Sequence, residues 1–103
     1  MHQTSSDDGL TSYCFEDLEV GMRGEYRRRI SQADVEHFAE VSGDVNPLHL
    51  DAAFAERTMF KGCIVHGMYS AAMISTVIGT RLPGPGCIYM SQDLRFLAPV
   101  RVG

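Results

Sequence analysis

A chain of 103 residues with 45% apolar and 21% charged side chains has room for one globular domain with a modest core, and this composition argues against a disordered polypeptide. Its net charge of −4 at pH 7 argues against a general nucleic-acid binder. Three widely spaced cysteines in no metal-type pair, Cys14, Cys63 and Cys87, read as reduced thiols of a cytoplasmic protein, with Cys63 and Cys87 as small core residues.

The N-terminus, MHQTSSDDGL, lacks both the basic start and the apolar run of a secretory signal. Residues 1–12 are expected to form a flexible tail, and residues 13–103 a single domain. FEDLEVG, residues 15–21, leads into a turn, and residues 25–30 alternate weakly enough to predict a short strand. Ser31 with Asp34 three positions later is a capping-box start, and the helix it opens carries Val35, Phe38, Ala39 and Val41 on one face before stopping at Ser42-Gly43. Asp51 then caps a short helix that runs to Arg57 with Phe54 turned inward.

A second long helix is predicted over residues 68–80. Met68, Ala71, Ala72, Ser75 and Ile78 form one stripe, but Tyr69, Met73, Ile74 and Val77 make the remaining surface apolar too, which marks a central, buried helix. It is too short for a membrane span and is interrupted by Ser70, Ser75 and Thr76. LPGPG, residues 82–86, stops it, and residues 87–96 follow as a predicted strand. The order points to an α+β fold, an antiparallel sheet wrapped round a central helix. One strand on each side is too little sheet for such a helix. Further strands are therefore expected after Gly103, or else cover from a partner.

The chemistry concentrates in GDVNPLH, residues 43–49, which sets a carboxylate, a carboxamide and an imidazole around a proline. On one continuous helix Asp44 and His49 would point about 140° apart. Pro47 forbids that helix and biases Asn46 toward an extended backbone, so the chain turns and the two side chains converge. An acid and a base on one loop can hold one water between them.

These residues resemble a known family. FAEVSGDVNPLHLDAAFA, residues 38–55, is similar to the hydratase-2 motif of the MaoC-like dehydratases, the (R)-specific enoyl-CoA hydratases of the hot-dog fold. IVHGMYSAAMIS, residues 64–75, and the LPGPG turn before CIYMSQDLRF match the same family. The resemblance implies Asp44 and His49 as the catalytic pair, Asn46 as a positioning residue and the Gly67 N–H as oxyanion donor. It also implies syn addition of water to a trans-2-enoyl-CoA, an (R)-3-hydroxyacyl-CoA product, an acyl-CoA substrate, a homodimer, and no metal or redox cofactor. The residues fit these roles. Gly67 opens the apolar helix, where free N–H groups and the helix dipole favour a developing enolate oxygen. Asp44 is the favoured base, with His49 sharing the water, and the sequence leaves open which of them takes the proton.

Other readings stand beside these. His66 is either a structural histidine bonded to nearby backbone or a substrate contact, and Ser75 either faces the site or bonds an internal carbonyl. His37 is assigned to a helix surface and His2 to the tail. A metal site from Asp44, His49, Asp51 and His66 lacks any familiar ligand spacing. Arg57, Lys61 and Arg81 are surface charges by default and contacts for coenzyme A phosphates otherwise. Two further functions compete with hydration: thioester hydrolysis on the same fold, which usually needs an acidic residue near the central helix, and non-catalytic acyl-CoA binding.

Overall fold

The computed structural model describes residues 4–5 and 9–103. Much of the tail expected over residues 1–12 lies outside the described residues; within it, β1 (Thr4–Ser5) and β2 (Thr11–Ser12) pair antiparallel, Thr4 opposite Ser12. A 3₁₀ turn at Phe15–Asp17 follows, then α1 (Gln32–Ser42), α2 (Pro47–Leu50), α3 (Ala52–Glu56) and α4 (Gly67–Thr80). The chain divides into two compact units, one of residues 1–27 and 71–93, the other of residues 28–70 and 94–103. No helix among the described residues is long and apolar enough to cross a membrane.

In the unit of residues 28–70 and 94–103, local chemistry sets the helix ends. Ser31 Oγ accepts from the Asp34 N–H at 3.1 Å and the Asp34 carboxylate accepts from the Ser31 N–H at 2.9 Å, which closes the capping box of α1. Gly43 ends that helix in the left-handed conformation at φ 79°, its N–H bonded to the Ala39 carbonyl. Asn46 caps α2 by accepting from the Leu48 N–H at 3.0 Å, and Pro47 takes the first helical position, where its missing N–H costs nothing. Asp51 caps α3 by accepting from the Phe54 N–H at 3.0 Å.

The core of this unit is Ile30, Val35, Ala39, Ala55, Ile64 and Val65 together with two histidines, His49 and His66. Residues 64–65 run antiparallel to residues 100–101: Ile64 bridges Arg101, and the Val65 N–H bonds the Val100 carbonyl at 2.9 Å. The Arg101 guanidinium also donates to the Phe60 carbonyl. Val41, expected on the inner face of α1, is 88% exposed, and Phe54 is 37% exposed. The inward face of α1 is narrower than its apolar pattern, and holds Val35 and Ala39.

In the other unit, the Val77 carbonyl accepts from the N–H groups of both Arg81 and Leu82 at the end of α4, and the Gly84 N–H reaches back to the Ile78 carbonyl at 3.0 Å. Gly84 is obligatory. A Cβ there would lie 1.8 Å from the Thr11 carbonyl oxygen, and its φ is +91°. Arg81 sits over the Tyr26 ring, 5.8 Å from its centroid.

The strands expected over residues 25–30 and 87–96 are not formed among the described residues, and on α4 Met68 is 56% and Ile74 43% exposed. A strand exists only through its ladder partner, and neither segment has one here.

Candidate active site

Asp44 and His49 are brought together by the two helix ends between them. The left-handed Gly43 reverses the chain after α1, and Ser42 Oγ accepts from the Asp44 N–H at 3.1 Å while donating to the Phe38 carbonyl at 2.7 Å. The Asp44 carboxylate in turn accepts from the Asn46 N–H at 3.3 Å. Asn46 thus serves the pair through the backbone, by starting the turn of helix that carries His49. The Gln32 side chain holds that turn from α1, donating to the His49 carbonyl at 2.9 Å.

Asp44 is exposed, whereas His49 is 8% and His66 1% exposed. One carboxylate oxygen of Asp44 and one ring nitrogen from each histidine lie within 4.8 Å of one another. A carbonyl oxygen only accepts, so each ring nitrogen facing one carries the hydrogen. His49 Nδ1–H donates to the Ile64 carbonyl at 2.7 Å, which leaves Nε2 as the ring's free lone pair. His66 Nε2–H donates to the backbone carbonyl of Asp44 at 3.0 Å, and its buried Nδ1 has no partner among the described residues.

The His49 and His66 rings stack with centroids 3.9 Å apart and planes at 28°. Stacked rings direct their in-plane lone pairs side by side rather than at one point. Of the four residues weighed as metal ligands, Asp51 is committed to capping α3. The remaining three, Asp44, His49 and His66, offer one carboxylate oxygen and two ring nitrogens as possible ligands.

Gly67 begins α4, and its N–H has no hydrogen-bond partner among the described residues, while those of Tyr69 and Ser70 turn to the His66 carbonyl. Gly67 also lies on the wall of an apolar groove of about 410 Å³, with Met59, Phe60, Phe96, Pro99 and Val100. The Phe96 ring packs against Gly67 so closely that an added Cβ would meet three ring carbons at 3.1 Å. His66 is in the interior, stacked on His49 and 4.8 Å from the Phe38 ring centroid, and does not line the groove. Ser75 belongs to the other compact unit and is exposed.

Three contributors carry no signature in the sequence. The Ile64 carbonyl is backbone and carries no residue signature, Gln32 reads as a helix surface residue, and Phe96 lies far along the chain in a segment expected to be a strand.

Residues 16–103 match the family model of the MaoC like domain. A 3-hydroxybutyryl-CoA dehydratase of Methylorubrum extorquens is 57% identical over 89 residues, which cover 86% of this chain and 57% of that protein. An (R)-specific enoyl-CoA hydratase of Rhodospirillum rubrum is 50% identical over 99 residues, 96% of this chain and 68% of that one. Among solved structures, an (R)-hydratase from A. caviae involved in PHA biosynthesis superposes with a TM-score of 0.83 at 49% identity, over 85% of this chain and 67% of that one. An unliganded R-hydratase from Pseudomonas aeruginosa gives 0.81 at 56% identity, over 85% and 57%. The chain spans 57% of the length of the Methylorubrum protein and 68% of the Rhodospirillum one. By its match across residues 16–103 and its likeness to hydratases of the hot-dog fold, this chain belongs to the MaoC-like domain family.

Proposed function

We propose that this chain carries the active-site pair of an (R)-specific enoyl-CoA hydratase, adding water to a trans-2-enoyl-CoA to give an (R)-3-hydroxyacyl-CoA. The observation that carries the reading is the His49 ring, fixed by its Nδ1–H bond to Ile64 so that Nε2 is left as its acceptor, in a cluster with the Asp44 carboxylate. Both groups are acceptors. A water that donates one O–H to each presents its lone pair to C3 of the enoyl group.

As the water oxygen bonds to C3, the C2–C3 π electrons move toward C2 and the thioester carbonyl, and negative charge grows on the carbonyl oxygen. The unpartnered Gly67 N–H at the start of α4 is the donor for that oxygen, and the groove beside it takes the apolar part of the substrate. Asp44 takes the proton from the water. The ring hydrogen of His49 is held by Ile64, so the proton that reaches C2 is the one the water released, returned on the same face. The sum is syn addition, and the pair ends as it began. The reaction needs neither metal nor redox cofactor, because coenzyme A arrives as part of the substrate. A homodimer working in the cytoplasm completes the reading, and light scattering on the purified protein tests the dimer.

The named relatives support this chemistry, being called hydratases and dehydratases of CoA thioesters. Thioester hydrolysis fits less well, since α4 holds no acidic residue from Gly67 to Thr80. The deciding experiment follows the conjugated thioester absorbance of crotonyl-CoA. Loss of absorbance without release of free thiol is expected; thiol release would favour the thioesterase, and binding without either change would favour a non-catalytic acyl-CoA domain.

A further inference from the structure

We propose that His66 is a positioning residue for the hydration reaction, one that sets the separation of Asp44 and His49 by bonding to the backbone of the first and stacking on the ring of the second. The inference rests on the hydratase reading above. Asp44 stands on an exposed loop between two helices, and nothing in its own side chain anchors it to the interior. His49 is fixed separately, from inside, by Ile64.

His66 spans the two. It is 99% removed from solvent, its Nε2–H reaches the Asp44 carbonyl at 3.0 Å, and its ring lies 3.9 Å from that of His49. Phe38, with its centroid 4.8 Å from the His66 ring and 5.2 Å from that of Tyr69, holds the imidazole laterally. A packing residue alone would not need this arrangement. An aliphatic side chain would fill the volume without leaving a buried Nδ1 lone pair that has no partner among the described residues, a cost that the observed ring bears. What the imidazole supplies beyond volume is one donor, aimed at the loop that carries the acid. Displacing a reacting group by about 1 Å can lower a rate about a hundredfold.

Two variants separate the parts. His66→Phe keeps an aromatic ring for His49 and Phe38 but has no donor for the Asp44 carbonyl; His66→Gln restores an N–H at nearly the depth of Nε2 without a ring. With crotonyl-CoA, His66→Phe is expected to lower kcat about a hundredfold with KM within about threefold, the split that marks an interaction needed in the transition state. His66→Gln is expected to recover most of kcat. Equal kcat in wild type and His66→Phe, or equal loss in both variants, overturns the proposal in favour of packing alone.

A third measurement does not depend on activity or on a folded variant. Imidazole ¹⁵N spectra of the wild-type protein should show His66 protonated at Nε2 and not at Nδ1, with a coupling across the hydrogen bond to the Asp44 carbonyl carbon. A His66 protonated at Nδ1, or no such coupling, overturns the tie. Wild-type protein that shows the coupling yet does not hydrate crotonyl-CoA rejects the hydratase reading and, with it, the positioning role.

Discussion

The Nδ1–H of His49 donates to the carbonyl oxygen of Ile64 at 2.7 Å, and this bond decides which ring nitrogen is left as an acceptor. It is buried, so it is both an orienting contact and a stabilising one. His49→Asn should test the two apart. The shorter amide can donate to Ile64 much as Nδ1 does but carries nothing at the place of Nε2. The expected result is a melting temperature close to wild type with hydration lowered about 10²–10⁴-fold. His49→Ala should lose activity and also stability, by about 1–3 kcal/mol, because the Ile64 carbonyl is left buried and unpaired.

Asp44→Asn keeps the size of the side chain and removes the proton acceptor. Because Asp44 is exposed and its loop is held through Ser42 and Asn46, folding should be unaffected. Hydration of crotonyl-CoA should fall about 10²–10⁴-fold. Activity equal to wild type would remove Asp44 from the mechanism.

Gly67→Ala places a methyl group 3.1 Å from the Phe96 ring. The ring is 57% exposed and has room to swing away, so the variant should fold. The swing moves the wall of the groove next to the Gly67 N–H, the proposed oxyanion donor, and kcat/KM should drop. Adding Phe96→Ala should recover part of the loss, a coupling that a double-mutant cycle in steady-state kinetics would measure. Additive losses would show that the two residues act independently.

The cysteines should differ in reactivity. Burial, and secondarily the charge of Asp51, push the Cys63 thiol above its ordinary range, while Cys14 is exposed. At neutral pH iodoacetamide should therefore label Cys14 well before Cys63, as followed by peptide mass spectrometry.

The start of α1 should be acid-sensitive. The Asp34 carboxyl is held below its usual value by the Ser31 N–H first, then by Ser31 Oγ and Arg28. A carboxyl lowered in the folded state stabilises that state above its ordinary value, and the contribution is lost as pH falls through the lowered one. Asp34→Asn should remove that part of the acid dependence of the melting temperature. Ser31→Ala should cost about 1 kcal/mol at neutral pH.

The elements readable in the sequence are those whose causes are local. The Ser31–Asp34 box, the Asp51 cap, the break at Pro47 and the apolar run of α4 all act over a few residues, and each appears at its expected place. Residues 25–30 and 87–96 are expected as strands and form none among the described residues, since ladders depend on partners far along the chain. The site divides in the same way. Asp44 and His49 lie five residues apart, one on the loop after α1 and one on α2, and could be paired by spacing, whereas the bond from His49 to Ile64 joins residues 15 apart and that from His66 to Asp44 residues 22 apart. The exposure of Val41 illustrates a different limit, because an apolar pattern shows which face is able to be buried and not what covers it.

The stretch from Ile64 to Gly67 gives each of its residues a separate duty: a carbonyl for His49, an N–H for the Val100 carbonyl, a ring for Asp44, and the first turn of α4. One inserted or deleted residue inside this stretch would displace all of these assignments together. Substitutions there should be graded in effect, but changes of length should be all or none. The neighbouring turn over residues 58–62 is tied by the Thr58 N–H and hydroxyl to the Ala55 carbonyl and by the Arg101 guanidinium to the Phe60 carbonyl, and changes of length are expected to be better tolerated there.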